Sequence, residues 1–94
     1  MLEKKRVRNK ALRSLLEGDG SKIDARWRRK AERILAELNV AVAPMELDLP
    51  GHYFHELKGD RRGTFSVRMS PNWRITFRWD EAGPYEIDLE DYHD

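Results

Sequence analysis

Leu12, Leu15 and Leu16 recur at helical spacing and stop at Gly18-Asp19-Gly20, a break that ends a first short helix. A second apolar stripe follows. Ile23, Trp27, Ala31, Ile34, Leu35 and Leu38 fall on one side of a helix, while Arg26, Arg29, Lys30 and Arg33 lie mostly off it. Ser21, with Asp24 three residues on, is a serviceable N-cap for this helix, which is expected to reach Asn39. Trp27 lies on the stripe and is expected in the core. Pro44 and Pro50-Gly51 then bracket a connector too broken for a helix. Among the mostly charged residues 1–8 only Val7 favours a strand, so an edge strand there rests on one residue.

After the connector the helical period gives way to strict alternation. Phe65, Val67 and Met69 alternate with Ser66, Arg68 and Ser70 before a turn at Ser70-Pro71-Asn72. Trp73, Ile75, Phe77 and Trp79 alternate with Arg74, Thr76 and Arg78. After a second turn at residues 80–83, Tyr85, Ile87 and Leu89 alternate with Glu86, Asp88 and Glu90. This pattern predicts a three-strand meander with one apolar and one polar face, preceded by a strand over Tyr53–Leu57. The fold class is α+β: two N-terminal helices packed on the apolar face of an antiparallel sheet. Leu57, Val67, Ile75, Phe77, Ile87 and Leu89 should be buried against Leu15, Leu35 and Trp27. Strict alternation puts His55 on the same side as Leu57, toward the core, and His93 on the side of Leu89.

Ninety-four residues suit one domain, 1–94, with a thin core. The absence of cysteine excludes disulfide frameworks and thiolate metal sites. No run has the length of a membrane span and no apolar signal segment opens the chain, so no membrane contact and a cytoplasmic location are expected. The formal net charge of +1 hides a division: residues 1–33 carry 12 Lys and Arg against 5 Asp and Glu, and residues 34–94 carry 6 against 12. Cations gathered in patches attract a polyanion even when the total is near zero. For the N-terminal half alone, solvation of helix faces explains them as well.

On the polar face Arg68, Arg74 and Arg78 come from adjacent strands, where fixed guanidinium forks suit phosphate oxygens. Pairing with Glu86, Asp88 and Glu90 is the simpler reading for Arg68 and Arg78. For Arg74 the pattern favours neither, and core packing of its neighbour Trp73 is expected to hold it. Cutting RNA by internal attack needs a base for the 2′-hydroxyl, positive charge at phosphorus and an acid for the departing 5′-oxygen. His55 and His93 are suited to the proton transfers, Lys58 and Arg74 to the charge, and Tyr92 to stacking or proton donation. Asp91 is suited to orienting an imidazole or the tail, and Arg61 lies in the same basic segment. His52, beside Gly51 in the connector, reads as structural. No two histidines lie on one helical turn, so no metal site is expected, and no cofactor is implied.

From Ala41 to His93 the chain resembles the HigB branch of the RelE/ParE toxin superfamily. The matching pieces are Pro50-Gly51, the segments 55–61, 63–67 and 72–77, and Asp91-Tyr92-His93. The resemblance implies a small toxin that cuts mRNA in the A site of the 30S ribosomal subunit. It also implies silencing by a co-encoded HigA-like helix-turn-helix antitoxin, with DNA contacted only through that antitoxin. Its catalytic group falls on His55, Asp91, Tyr92 and His93, and Lys58 and Arg74 match basic positions at the scissile phosphate. Arg61 and Arg68 complete the expected substrate-binding set. Asp94 extends beyond the usual terminal Tyr-His. The rivals are a non-enzymatic RelE-fold subunit acting in operon repression, which would not need the His55 and His93 pair, and a ParE-like gyrase poison, which would not call for the Asp91-Tyr92-His93 tail.

Overall fold

The computed structural model describes residues 2–91. Its helices are α1, Lys10–Leu16, and α2, Ala25–Val40, and its strands are β1, His55–Glu56, β2, Thr64–Arg68, β3, Trp73–Asp80, and β4, Gly83–Asp91. Asn9 caps α1 by accepting from the Leu12 amide at 2.9 Å. The cap of α2 is Asp24 rather than Ser21, its carboxylate accepting from the Arg26 amide at 2.9 Å. Arg28 explains the later start. It donates to the carbonyls of Gly20 at 2.7 Å and Ile23 at 3.0 Å, which holds residues 20–23 as a turn outside the helix. The connector contains one 3-10 turn, Pro44–Leu47, and no α-helix.

The strands form an antiparallel meander in the order β1-β2-β3-β4. The charged N-terminus makes a 3-10 turn at Lys4–Arg6 and touches β4 through one parallel bridge, Val7 to Ile87, rather than a full strand. The helices cover one face of the sheet, where Val67, Ile75, Phe77 and Ile87 are buried with Leu12, Leu15, Ile34, Leu35 and Leu38. On this face Phe54, Phe65 and Phe77 stack in sequence at 5.7 and 5.8 Å, and the Trp79 ring meets Phe77 edge-on at 6.1 Å.

Four expectations need correction. Leu57 is half-buried and stands apart from the core, because β1 is only two residues long and the chain turns away after Glu56. Trp27 and Leu89 are half-buried at its margin rather than inside it. Trp73 is 40% exposed, because β3 begins beyond the cover of the helices. Alternation also breaks inside β4. Thr76 pairs with Asp88 but Arg78 pairs with Tyr85, so one residue of β3, Phe77, opposes two of β4, Glu86 and Ile87, a β-bulge. Glu86 accommodates it at φ +49°, and Tyr85 is thereby turned to the face of Arg78, away from Ile87.

Candidate active site

On the sheet face away from the helices, β1 and the start of β3 border a cavity of about 640 Å³. Tyr53, His55, Arg68, Arg74 and the turn Ser70–Asn72 line it. His55 arrives there through the register. It pairs with Ser66, which pairs with Thr76, and directly opposed residues share a face. The expectation that alternation sends His55 toward the core is therefore corrected: Phe54 and Glu56 take the helix-side parity, and Phe54 stacks on Phe65 there.

Arg74 is the centre of the cavity wall, 7% exposed although it is always charged. Its Nε donates to the Ser66 hydroxyl, and its Nη2 donates to the Tyr53 carbonyl at 2.7 Å and toward the Ser66 carbonyl at 3.4 Å. The same nitrogen lies 3.4 Å from His55 Nδ1. A guanidinium has only donors, so this contact makes Nδ1 the acceptor and leaves the neutral ring's proton on Nε2. Tyr53 is itself in a left-handed conformation, φ +49°, which aims its carbonyl at Arg74. These neighbours hold Arg74, replacing the expected packing of Trp73.

The other arginines meet rings and one carboxylate in ways the sequence pattern does not predict. Arg68 lies 5.1 Å over the Tyr53 ring and donates to the Ser70 carbonyl at 3.3 Å, and Arg78 lies 5.8 Å over Tyr85. Glu90 takes Arg61 instead, in a two-point pair at 2.8 and 2.6 Å, and also accepts from the Thr76 hydroxyl at 2.5 Å. The Arg61 guanidinium, and then Thr76, hold the Glu90 carboxyl below its ordinary range against the opposing effect of burial, and Glu90 raises Arg61 in turn. Lys58 is exposed at the start of the 3-10 turn Gly59–Arg61. Lys30 reaches the Gly51 carbonyl at 3.1 Å, and burial, then Arg33 and Arg68, push its ammonium below its ordinary value.

The structure thus brings together His55, Arg68 and Arg74, with Lys58 and Arg61 on the segment that follows β1. Asp91 pairs across the sheet with Trp73, which places it on the opposite parity from Arg74. Tyr92 and His93 lie outside the described residues. Sequence reasoning missed Ser66 and the Tyr53 carbonyl. Ser66 carried a signal, a small hydroxyl on the polar parity beside Arg74, whereas the Tyr53 backbone conformation carried none. His52 is structural as expected, 1% exposed with Nε2 2.6 Å from a Glu37 carboxylate oxygen. Among the described residues no three His, Asp or Glu side chains group as metal ligands, and no helix is long and apolar enough to cross a membrane.

Comparison with known proteins agrees with this architecture. The family model described as "RelE-like toxin of type II toxin-antitoxin system HigB" matches residues 5–93. The chain is also similar to a protein of Proteus vulgaris named endoribonuclease HigB, 34% identical over 90 residues, which is 95% of this chain and 98% of that one. A match over nearly the whole domain covers the helices, the sheet and the cavity alike. The chain belongs to the HigB-like family of RelE-like toxins, whose members act in pairs with an antitoxin.

Proposed function

We propose that this toxin is an endoribonuclease that cuts ribosome-bound mRNA by acid–base catalysis through the RNA's own 2′-hydroxyl, without a metal ion. Family membership and the similarity to an endoribonuclease support the reaction class. The observation that carries the chemistry is the Arg74 guanidinium held in the cavity wall against His55 Nδ1. A rigid, largely desolvated cation next to a proton carrier suits a phosphate that gains charge as it becomes five-coordinate.

In the reaction a base takes the 2′-hydroxyl proton, O2′ bonds to phosphorus, and the bond from phosphorus to O5′ breaks as an acid protonates the leaving oxygen. The products are a 2′,3′-cyclic phosphate and a 5′-hydroxyl. His55 and His93 share the two proton transfers. Arg68 and Arg74 seat the phosphate, Lys58 adds charge from the exposed start of the turn after β1, and Arg61 reaches RNA only by leaving Glu90. Tyr92 supplies a stacking face or a phenolic proton, and Asp91 positions the tail. The partners of this reading are mRNA in the A site of the 30S subunit and a HigA-like helix-turn-helix antitoxin, through which alone DNA is contacted. The setting is the cytoplasm.

The test is cleavage of ribosome-bound mRNA by folded His55→Ala, His93→Ala and Arg74→Ala variants. Removing one proton carrier is expected to slow cutting by about 10²–10⁴-fold. One 2′-deoxynucleotide on the 5′ side of the scissile phosphate should block cutting at that position. Undiminished cutting of the deoxy substrate overturns attack by the 2′-hydroxyl, and wild-type rates in both histidine variants overturn the residue assignment. Equal rates on free and ribosome-bound mRNA overturn ribosome dependence.

A further inference from the structure

A second groove, of about 430 Å³, lies on the other side of the β2–β3 turn. Trp73, Met69 and Leu89 form one wall, and Trp27 and Arg26 at the start of α2 form the other, with Lys22 at the rim. Ser70, Pro71 and Asn72 line both this groove and the cavity of His55 and Arg74, so a turn three residues wide separates them. Trp73 follows the core parity of β3 yet is 40% exposed, which leaves part of its indole open to the groove. Its place is rigidly set. The Trp73 carbonyl accepts from the Met69 and Ser70 amides at 3.0 and 3.1 Å, and the Trp73 amide donates to the Ser70 hydroxyl at 3.1 Å.

We propose that this groove is a stacking subsite for a nucleobase flanking the scissile phosphate on the same RNA strand. The inference rests on the RNA-cutting reading of the neighbouring cavity and adds a residue-level contact to it. Three observations favour RNA. Indole faces accept any base by stacking, and the Arg26 guanidinium already lies 5.9 Å over the Trp27 ring, extending the flat surface. Among the described lining residues the single carboxylate, Asp24, is bonded by Arg26 at 2.8 Å, so the rim does not repel phosphate. Continuity through the shared turn lets a strand bound at Arg74 pass over Pro71 and Asn72 and reach Trp73 without leaving the surface.

The experiment pairs Trp73→Ala and Trp73→Phe with ribosome-bound mRNAs that carry a single abasic nucleotide within two positions of the cut on either side. For the wild type, one abasic position should raise KM by roughly 5- to 150-fold, the usual range for one base stacked on an aromatic side chain. Trp73→Ala should show the same loss on intact RNA and no further loss on that abasic RNA, while Trp73→Phe restores most of it. Additive losses at every abasic position overturn the subsite. So does wild-type cutting by Trp73→Ala together with weakened antitoxin binding, which would assign the groove to the antitoxin. A wild-type protein that cuts no RNA would instead sink the underlying reading. Quenching of intrinsic fluorescence by an uncleavable 2′-deoxy-substituted oligoribonucleotide, lost in Trp73→Phe/Trp27→Phe but kept in Trp79→Phe, checks the contact apart from turnover; quenching that survives the double substitution counts against it.

Discussion

At the scale of single residues the site depends on how Arg74 is held. The Ser66 side chain is fully buried and its hydroxyl accepts from Arg74 Nε. Hydrogen bonds to charged groups contribute roughly 1.5–3 kcal/mol, so Ser66→Ala should lower kcat/KM by about one to two orders of magnitude through misplacement of the guanidinium. Steady-state cleavage beside a thermal melt checks this, since a loss of rate at unchanged melting temperature separates positioning from folding. Arg74→Lys should recover little, because an ammonium is a point charge without the planar fork that meets Ser66 and Tyr53 together. Full activity in the lysine variant would show that charge alone suffices.

At the scale of elements, two irregular segments set the polar face. The bulge in β4 turns Tyr85 to Arg78, and Glu86 carries it in a left-handed conformation at φ +49°. Side chains other than glycine strain there, so Glu86→Gly should be neutral or stabilising by up to about 1 kcal/mol, and Glu86→Val destabilising by about 1–2 kcal/mol. Urea unfolding midpoints of the two variants measure the difference, and equal midpoints would rule the strain out. The connector before β1 is the other irregular segment. Glu37 on α2 holds the buried His52 at 2.6 Å, and the His52 carbonyl accepts from the Arg68 amide at 2.7 Å. Tyr53 and His55 thereby inherit their positions from a helix on the far side of the sheet.

For the whole molecule, stability comes from one core shared by helices and sheet. Phe77 is fully buried between Phe65 and Trp79, so Phe77→Ala should cost about 3–5 kcal/mol, measurable by chemical denaturation. Among the ion pairs that tie distant segments together are Arg61 with Glu90, and Arg6 with Asp80 at 3.0 Å. Arg61 keeps the Glu90 carboxyl below its ordinary value, and Arg6 does the same for Asp80. As pH falls, the unfolded chain takes up these protons first, so this part of the stability is complete above the ordinary carboxylate range. It is lost as pH drops through the lowered folded values. Denaturation midpoints measured from neutral to acid pH should fall below that range, and less steeply in Arg61→Gln. An identical acid profile in that variant would remove the pair from the account.

Period and alternation alone were sufficient for the two helices, the three long strands and most of the core, because side chains repeating on one side must be buried together. Side-chain chemistry singled out His55, Lys58 and Arg74, and the resemblance to HigB-like toxins added Arg68, because an imidazole and fixed cations suit phosphate chemistry whichever face they occupy. Alternation failed at His55, Trp73 and Tyr85, and each failure has a tertiary cause. Pairing of His55 with Ser66 decides the face of a two-residue strand, the end of helical cover exposes Trp73, and an extra residue in β4 inverts Tyr85. Local sequence specifies which side chains share a face within a strand. Only the register between strands, and what packs upon them, decides which face that is and what it meets.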